Sequence, residues 1–205
     1  MHDFTVLMAL VDYIPVVLFA IAATILSSDL YNKMDKGSFA LFSSGLINIT
    51  VAGTLKATWK LLYAANICDF EAFNNIFFPL QSIGFLLAGI GILSMMIKKK
   101  NTGVFSAAPP VFSGTAVFIT FMVLGLAVIN TVLSILAFKM KKRALTFIFV
   151  LSFLCSLAMG YLSSQNYSEA AMNWIAETVN ILGQGSFLAG VIMLRKNNLK
   201  HFSLT

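Results

Sequence analysis

Charge is the scarcest commodity in this chain. Asp, Glu, Lys and Arg make up 11% of its 205 residues, where a soluble domain carries about 25%. Hydrophobic residues fill 59% of it against the usual value of about 45–50%. The mean hydropathy is +0.87. Almost nothing is left from which to build a soluble domain. Histidine is nearly absent: His2 and His201 stand near the two ends. Haem ligation and a buried histidine metal site are therefore not expected. The two cysteines, Cys68 and Cys155, share no C-x-x-C spacing and read as free thiols.

Catalytic patterns are missing as well. The chain holds no H-E-x-x-H, no G-x-S-x-G and no metal-spaced Cys/His cluster. Ser43-Ser44 and Ser163-Ser164 have no histidine to serve as base, and Asp69 and Glu71 fall in a short connector that reads as solvated. An enzyme is not expected, and neither is a cofactor. The first 12 residues contain no Lys or Arg. They lack the basic start of a signal peptide, so the first apolar run is expected to remain in the protein.

What the chain does have is long apolar runs. A bilayer crossing needs ~20 mostly apolar residues. Six runs qualify: about Leu10–Ser27, Ser38–Ala65, Ile76–Ile97, Ser113–Phe138, Ala144–Ser163 and Glu169–Leu194. The pattern predicts an all-α integral membrane protein with six transmembrane helices. An outer-membrane barrel would show strands of ~10 residues with strict alternation, and none is present. Pro15 and Pro79 each fall near the start of a run, where a first-turn proline is tolerated. The net charge of +6 comes from basic clusters at run ends. That placement suits lipid headgroups and argues against nucleic acid. The expected setting is a bacterial cytoplasmic membrane.

The two halves look like copies. Gly84-x-x-x-Ala88-Gly89 parallels Gly185-x-x-x-Ala189-Gly190, and Lys33-Met34-Asp35-Lys36 parallels Lys139-Met140-Lys141-Lys142. Residues 1–100 read as one three-helix unit, 101–112 as a connecting loop and 113–205 as a second unit. Three spans per unit is odd, which predicts an inverted-topology 3+3 repeat with a site where the units meet. The small residues Gly84, Ala88, Gly91, Gly185 and Ala189 are expected to admit close helix contacts, as is the ridge Ser152, Ser156, Gly160. The basic residues nearly balance across the two faces on this topology. N-terminus and C-terminus both inside is the expected orientation, and the near balance leaves dual insertion as an antiparallel homodimer open.

Polar residues inside the runs mark the candidate site. Asn173, Glu177, Asn180 and Gln184 are spaced 4, 3 and 4, which places them on one helical stripe. On an inverted repeat, Asn48 and Glu177 enter from one face at depths of ~15 and ~12 Å. Lys56 leans toward the same level from the opposite end, and Gln81 follows Pro79. The predicted site is a polar cavity of Asn48, Lys56, Gln81, Asn173, Glu177, Asn180 and Gln184. Glu177 would be its proton-titrating or cation-binding group, with a Glu177–Lys56 pair available. Lys60 reads as a lysine that reaches out to the interface. The expected function is a transporter or channel for a small polar or charged solute or ion. The alternative is a non-transporting sensor, lipid-binding module or subunit of a larger membrane complex.

Overall fold

The computed structural model describes residues 5–97, 115–162 and 170–203, and the elements among them are all helical. They are α1 (Val6–Val11), α2 (Tyr13–Leu30), α3 (Lys36–Ala64), α4 (Glu71–Ser94), α5 (Thr115–Lys139), α6 (Arg143–Leu162) and α7 (Ala170–Lys196). α1 and α2, with a 3₁₀ turn at Tyr31–Lys33, act as one span from Val6 to Lys33, giving six helices long and apolar enough to cross a membrane. The chain is thus a multi-pass membrane protein. Its bilayer-facing surface is apolar, with Val17, Ile21, Ile47, Leu124, Leu151, Leu154 and Leu182 all exposed. The predicted loop at 101–112 lies outside the described residues.

Local chemistry sets the breaks. Pro15 has no N–H, so it cannot bond the Val11 carbonyl four residues back. The helix is interrupted at Asp12, the residue between α1 and α2, whose own N–H still reaches the Met8 carbonyl at 3.1 Å. Asp35 caps α3 by accepting from the N–H groups of Gly37 and Ser38, both at 3.1 Å. Asn66, Lys141 and Asn198 end helices in the left-handed region, with φ of 54°, 60° and 64°. Pro79 differs from its predicted placement. α4 begins at Glu71, so this proline is interior to the helix rather than in its first turn.

Neighbouring contacts run α2–α3–α4–α5–α6–α7 and return from α7 to α2, closing a ring of six helices. The direction of each helix follows from residue pairs. α3 is antiparallel to α2, because Tyr13 meets Thr58 and Val16 meets Gly53. It is antiparallel to α4, because Gly45 meets Ala88 while Phe42 meets Gly91. α4 and α5 run parallel: Phe78 meets Phe118, and Phe85 meets Gly125. α6 and α7 are antiparallel, with Gly183 against Cys155 and Gly190 against Phe149. α7 is parallel to α2, since Phe19 stacks on Phe187 and Asp29 faces Arg195.

These registers correct the predicted inverted repeat. The two three-helix units point the same way, α4 packing on α5 as α7 packs on α2. Parallel units are related by an axis along the membrane normal, not in its plane. The inversion was inferred from a linker that stays on one face. Yet α4 ends and α5 begins at opposite ends of the bundle. The start of α1 and the end of α7 also lie at opposite ends, which overturns the expectation of both termini inside.

The apolar core occupies one half of the ring. Leu26, Phe42, Ile92, Leu133, Phe149 and Leu194 are all at most 1% exposed and all lie toward the end where α2 finishes and α3 starts. Gly45, Gly84 and Gly91 seat α3 directly on α4, where an added methyl would meet backbone atoms of the other helix. The motif copy on α7 behaves differently. A methyl added at Gly185 meets nothing within 4 Å, and Ala189 is exposed. The close packing predicted for that pair is absent.

Candidate functional site

The other half of the ring is hollow. A cavity of about 160 Å³ is lined by residues from α2 through α7, with Asp12 at its edge. At ~30 Å³ per water, that is room for on the order of five waters or a small solute. Much of its lining is apolar, from Phe19, Phe77, Phe78, Phe85 and Met122. Among them stand the polar groups Lys56, Lys60, Gln81, Glu177, Asn180 and Gln184.

Charge concentrates at one point. The Lys60 ammonium Nζ lies 2.5 Å from Asp12 Oδ2 and 3.5 Å from Glu177 Oε1. Three helix segments place this cluster. Asp12 occupies the break caused by Pro15, Lys60 is one turn from the end of α3, and Glu177 is two turns into α7. All lie within ~10 Å of one end of the bundle, at 1.5 Å per residue. Asp12 and Glu177 are each 7% exposed and Lys60 4%. Lys56, one turn earlier on α3, holds its ammonium 4.3 Å from the centre of the Phe77 ring. It sits close enough to Lys60, Asp12 and Glu177 to interact electrostatically with all three.

The cluster is neither fully solvated nor fully satisfied. Asp12 Oδ1 and Glu177 Oε2 are buried with no hydrogen-bond partner among the described residues. Buried acceptors of this kind are uncommon, because each forfeits its bonds to water. Ionisable groups within a spanning helix face the bundle interior by default. The two carboxyls stand within hydrogen-bonding reach of each other, so this pair beside a cavity can receive a shared proton, a metal cation or the N–H of a solute. The Lys56 ammonium, which makes no ion pair among the described residues, offers a complementary donor.

The structure gathers five of the seven predicted site residues around this cavity: Lys56, Gln81, Glu177, Asn180 and Gln184. Asn173 is 1% exposed but does not line it, and Asn48 is half-buried and does not line it either. Asn48 was placed beside Glu177 by the inverted arrangement. With the units parallel, Glu177 falls level with Lys60, and Asn48 lies three turns away along α3. Glu177 accordingly pairs with Lys60, not Lys56. Lys60 is buried in an ion cluster instead of reaching to the interface. Sequence reasoning missed Asp12 and Lys60 as site residues. An acid three residues before a proline, with no basic neighbour and an apolar run on both sides, was the available signal. Asp69 is not simply solvated: it accepts a 2.8 Å hydrogen bond from the Trp59 indole and holds the α3–α4 connector against α3.

Comparison with protein-family models, with curated proteins and with solved structures finds no match.

Proposed function

We propose that this protein is a small carrier that moves a compact cationic or hydrogen-bond-donating solute across the membrane, with protonation of the Asp12–Glu177 pair as the coupled event. One observation carries the reading: all the spanning helices enclose a single polar cavity, and buried carboxylate oxygens without partners border it. A structural ion pair alone would be expected to satisfy its own acceptors. Lys60 holds the two carboxyls together. Charge arriving on a solute, or a proton, competes for the same oxygens. The phenylalanines among the lining residues limit the size of the bound species. A ring built of two parallel three-helix units supplies two bodies whose relative tilt would open the cavity to one side and then the other.

The test is flux into proteoliposomes holding a pH-sensitive dye, with small amines, amino acids and alkali cations offered outside. Wild-type protein is expected to acidify or alkalinise the lumen with at least one of these classes. Glu177→Gln keeps the closer Lys60–Asp12 pair, so it should stay folded while losing pH-dependent flux by ~10-fold or more, the scale of a positioned proton-transfer group. Unchanged flux in that variant, or no flux of any class by the wild type, would sink the proposal.

A second reading, subunit of a larger complex, draws on a groove between α5 and α6 on the lipid side. Its residues include Asn130 and Thr146, whose side-chain oxygens are buried without hydrogen-bond partners among the described residues. Copurification of a stable partner would favour it.

A further inference from the structure

We infer that the apolar, tightly packed half of the bundle lies against the anionic cytoplasmic leaflet, so that the chain has a single orientation with its N-terminal end outside and its C-terminal end inside. The observation is where the parallel arrangement sends the basic residues. The connector Lys33–Lys36, the turn Lys139–Arg143 and the segment Arg195–Lys200 all fall at one end of the ring. Together they hold nine of the eleven described Lys and Arg residues, the other two being Lys56 and Lys60 of the cavity. In the sequence, Lys98-Lys99-Lys100 follow directly on Ile97, the last described residue after α4. At the opposite end the described connector carries Asp69 and Glu71 and no basic residue.

Cationic residues flanking spans are retained on the cytoplasmic side and are drawn to anionic headgroups there. On a topology that alternates through the chain, those residues divide almost evenly and specify nothing. With α4 and α5 parallel, every described cluster lies at one end. The C-terminal segment is tied to that end as well, since the Lys33 ammonium donates to the Phe202 carbonyl at 2.5 Å. The hollow half of the ring, with Asp12, Lys60 and Glu177, lies nearer the outer surface. This orientation does not depend on the protein being a carrier, and its test uses no flux.

Cys68 makes the experiment direct. It is exposed in the connector between α3 and α4, at the end predicted to face outward. In a Cys155→Ser background, a membrane-impermeant maleimide should label Cys68 on intact cells. A cysteine placed by His201→Cys in a Cys68→Ser, Cys155→Ser chain should react only after permeabilisation. A fluorescent protein fused after Thr205 should fold and fluoresce, and an alkaline phosphatase fused there should stay inactive; these fusions leave both native cysteines in place. Labelling of Cys68 only after permeabilisation, or an active phosphatase fusion, would overturn the orientation. Partial labelling of both positions on intact cells would overturn it in favour of dual insertion.

Discussion

α2 carries an aspartate at each end, and α7 provides a charged neighbour at each. Asp12 and Glu177 share the Lys60 ammonium at 2.5 and 3.5 Å. Near the other end of α2, Asp29 faces Arg195 at 3.9 Å. Both aspartates are buried. Their cations are not alike: the Lys60 side chain is 5% exposed, whereas the Arg195 side chain is 53% exposed. Desolvation of the partner decides what an ion pair is worth. A wet pair contributes about 0–1 kcal/mol, because water and salt replace whatever is lost. A dry pair contributes little net stability when whole, but breaking it strands a charge at a cost of about 3–5 kcal/mol. The two ends of one helix pair therefore carry similar groups for different purposes. One end is an interior site, and the other is an anchor at the surface.

The largest expected effect tests the interior end. Lys60→Met leaves Asp12 and Glu177 buried with no compensating cation and should lower unfolding free energy by about 3–5 kcal/mol at neutral pH. Thermal unfolding in detergent, followed by loss of the monodisperse peak, reads this out. Lowering the pH protonates the stranded carboxylates and should shrink the deficit. A triple variant, Asp12→Asn, Lys60→Met, Glu177→Gln, removes all three charges and should recover most of the loss, since a neutral cluster strands nothing. A Lys60→Met loss below about 1 kcal/mol would mean that the cluster is as wet as the pair at Arg195, and the contrast would collapse.

A smaller effect separates Asp12 from Asp29 directly. Asp12→Asn leaves Lys60 with Glu177 at the longer distance and should cost about 1–3 kcal/mol, the range for loss of one partner in a buried polar contact. Asp29→Asn should cost less than 1 kcal/mol or be stabilising, because both Asp29 carboxylate oxygens are already without hydrogen-bond partners. Chemical denaturation midpoints of the two variants, measured side by side, would show the order. The reverse order would make Asp29 the structural charge and Asp12 the dispensable one.

The sequence displays the spans and five of the residues that line the cavity, because these follow from local hydropathy and residue type. It conceals helix direction. Glu177, Asn180 and Gln184 announce themselves by polarity within an apolar run. Their partners depend on which way α7 crosses, and that depends on how the chain passes from α4 to α5. An alternating topology set Glu177 level with Asn48; the parallel one sets it level with Lys60. The single reversal accounts for the displaced Asn48, the misread Lys60 and the apparent balance of basic residues. The Gly-x-x-x-Ala-Gly copies show a second limit. Gly84 lies in backbone contact with α3, while Gly185 has open space around it. A motif specifies that close approach is permitted, and only the neighbouring helix determines whether it happens.

The smallest predicted effect is also the sharpest check on the comparison. Arg195→Gln removes the exposed member of the pair at the basic end. The guanidinium is 3.9 Å from the carboxylate and half in solvent, so the loss should be under about 1 kcal/mol. It should fall further as salt rises from 0.05 to 0.5 M on the order expected from a Debye length that shrinks below about 10 Å. The Lys60→Met loss should scarcely respond to the same salt series, because ions do not reach a dry cluster. Paired melts of the two variants across that series measure the desolvation difference without any need to know the solute. If Arg195→Gln instead costs more than 2 kcal/mol and ignores salt, Asp29 depends on Arg195 as Asp12 depends on Lys60. The helix pair would then hold two interior sites, one near each membrane surface.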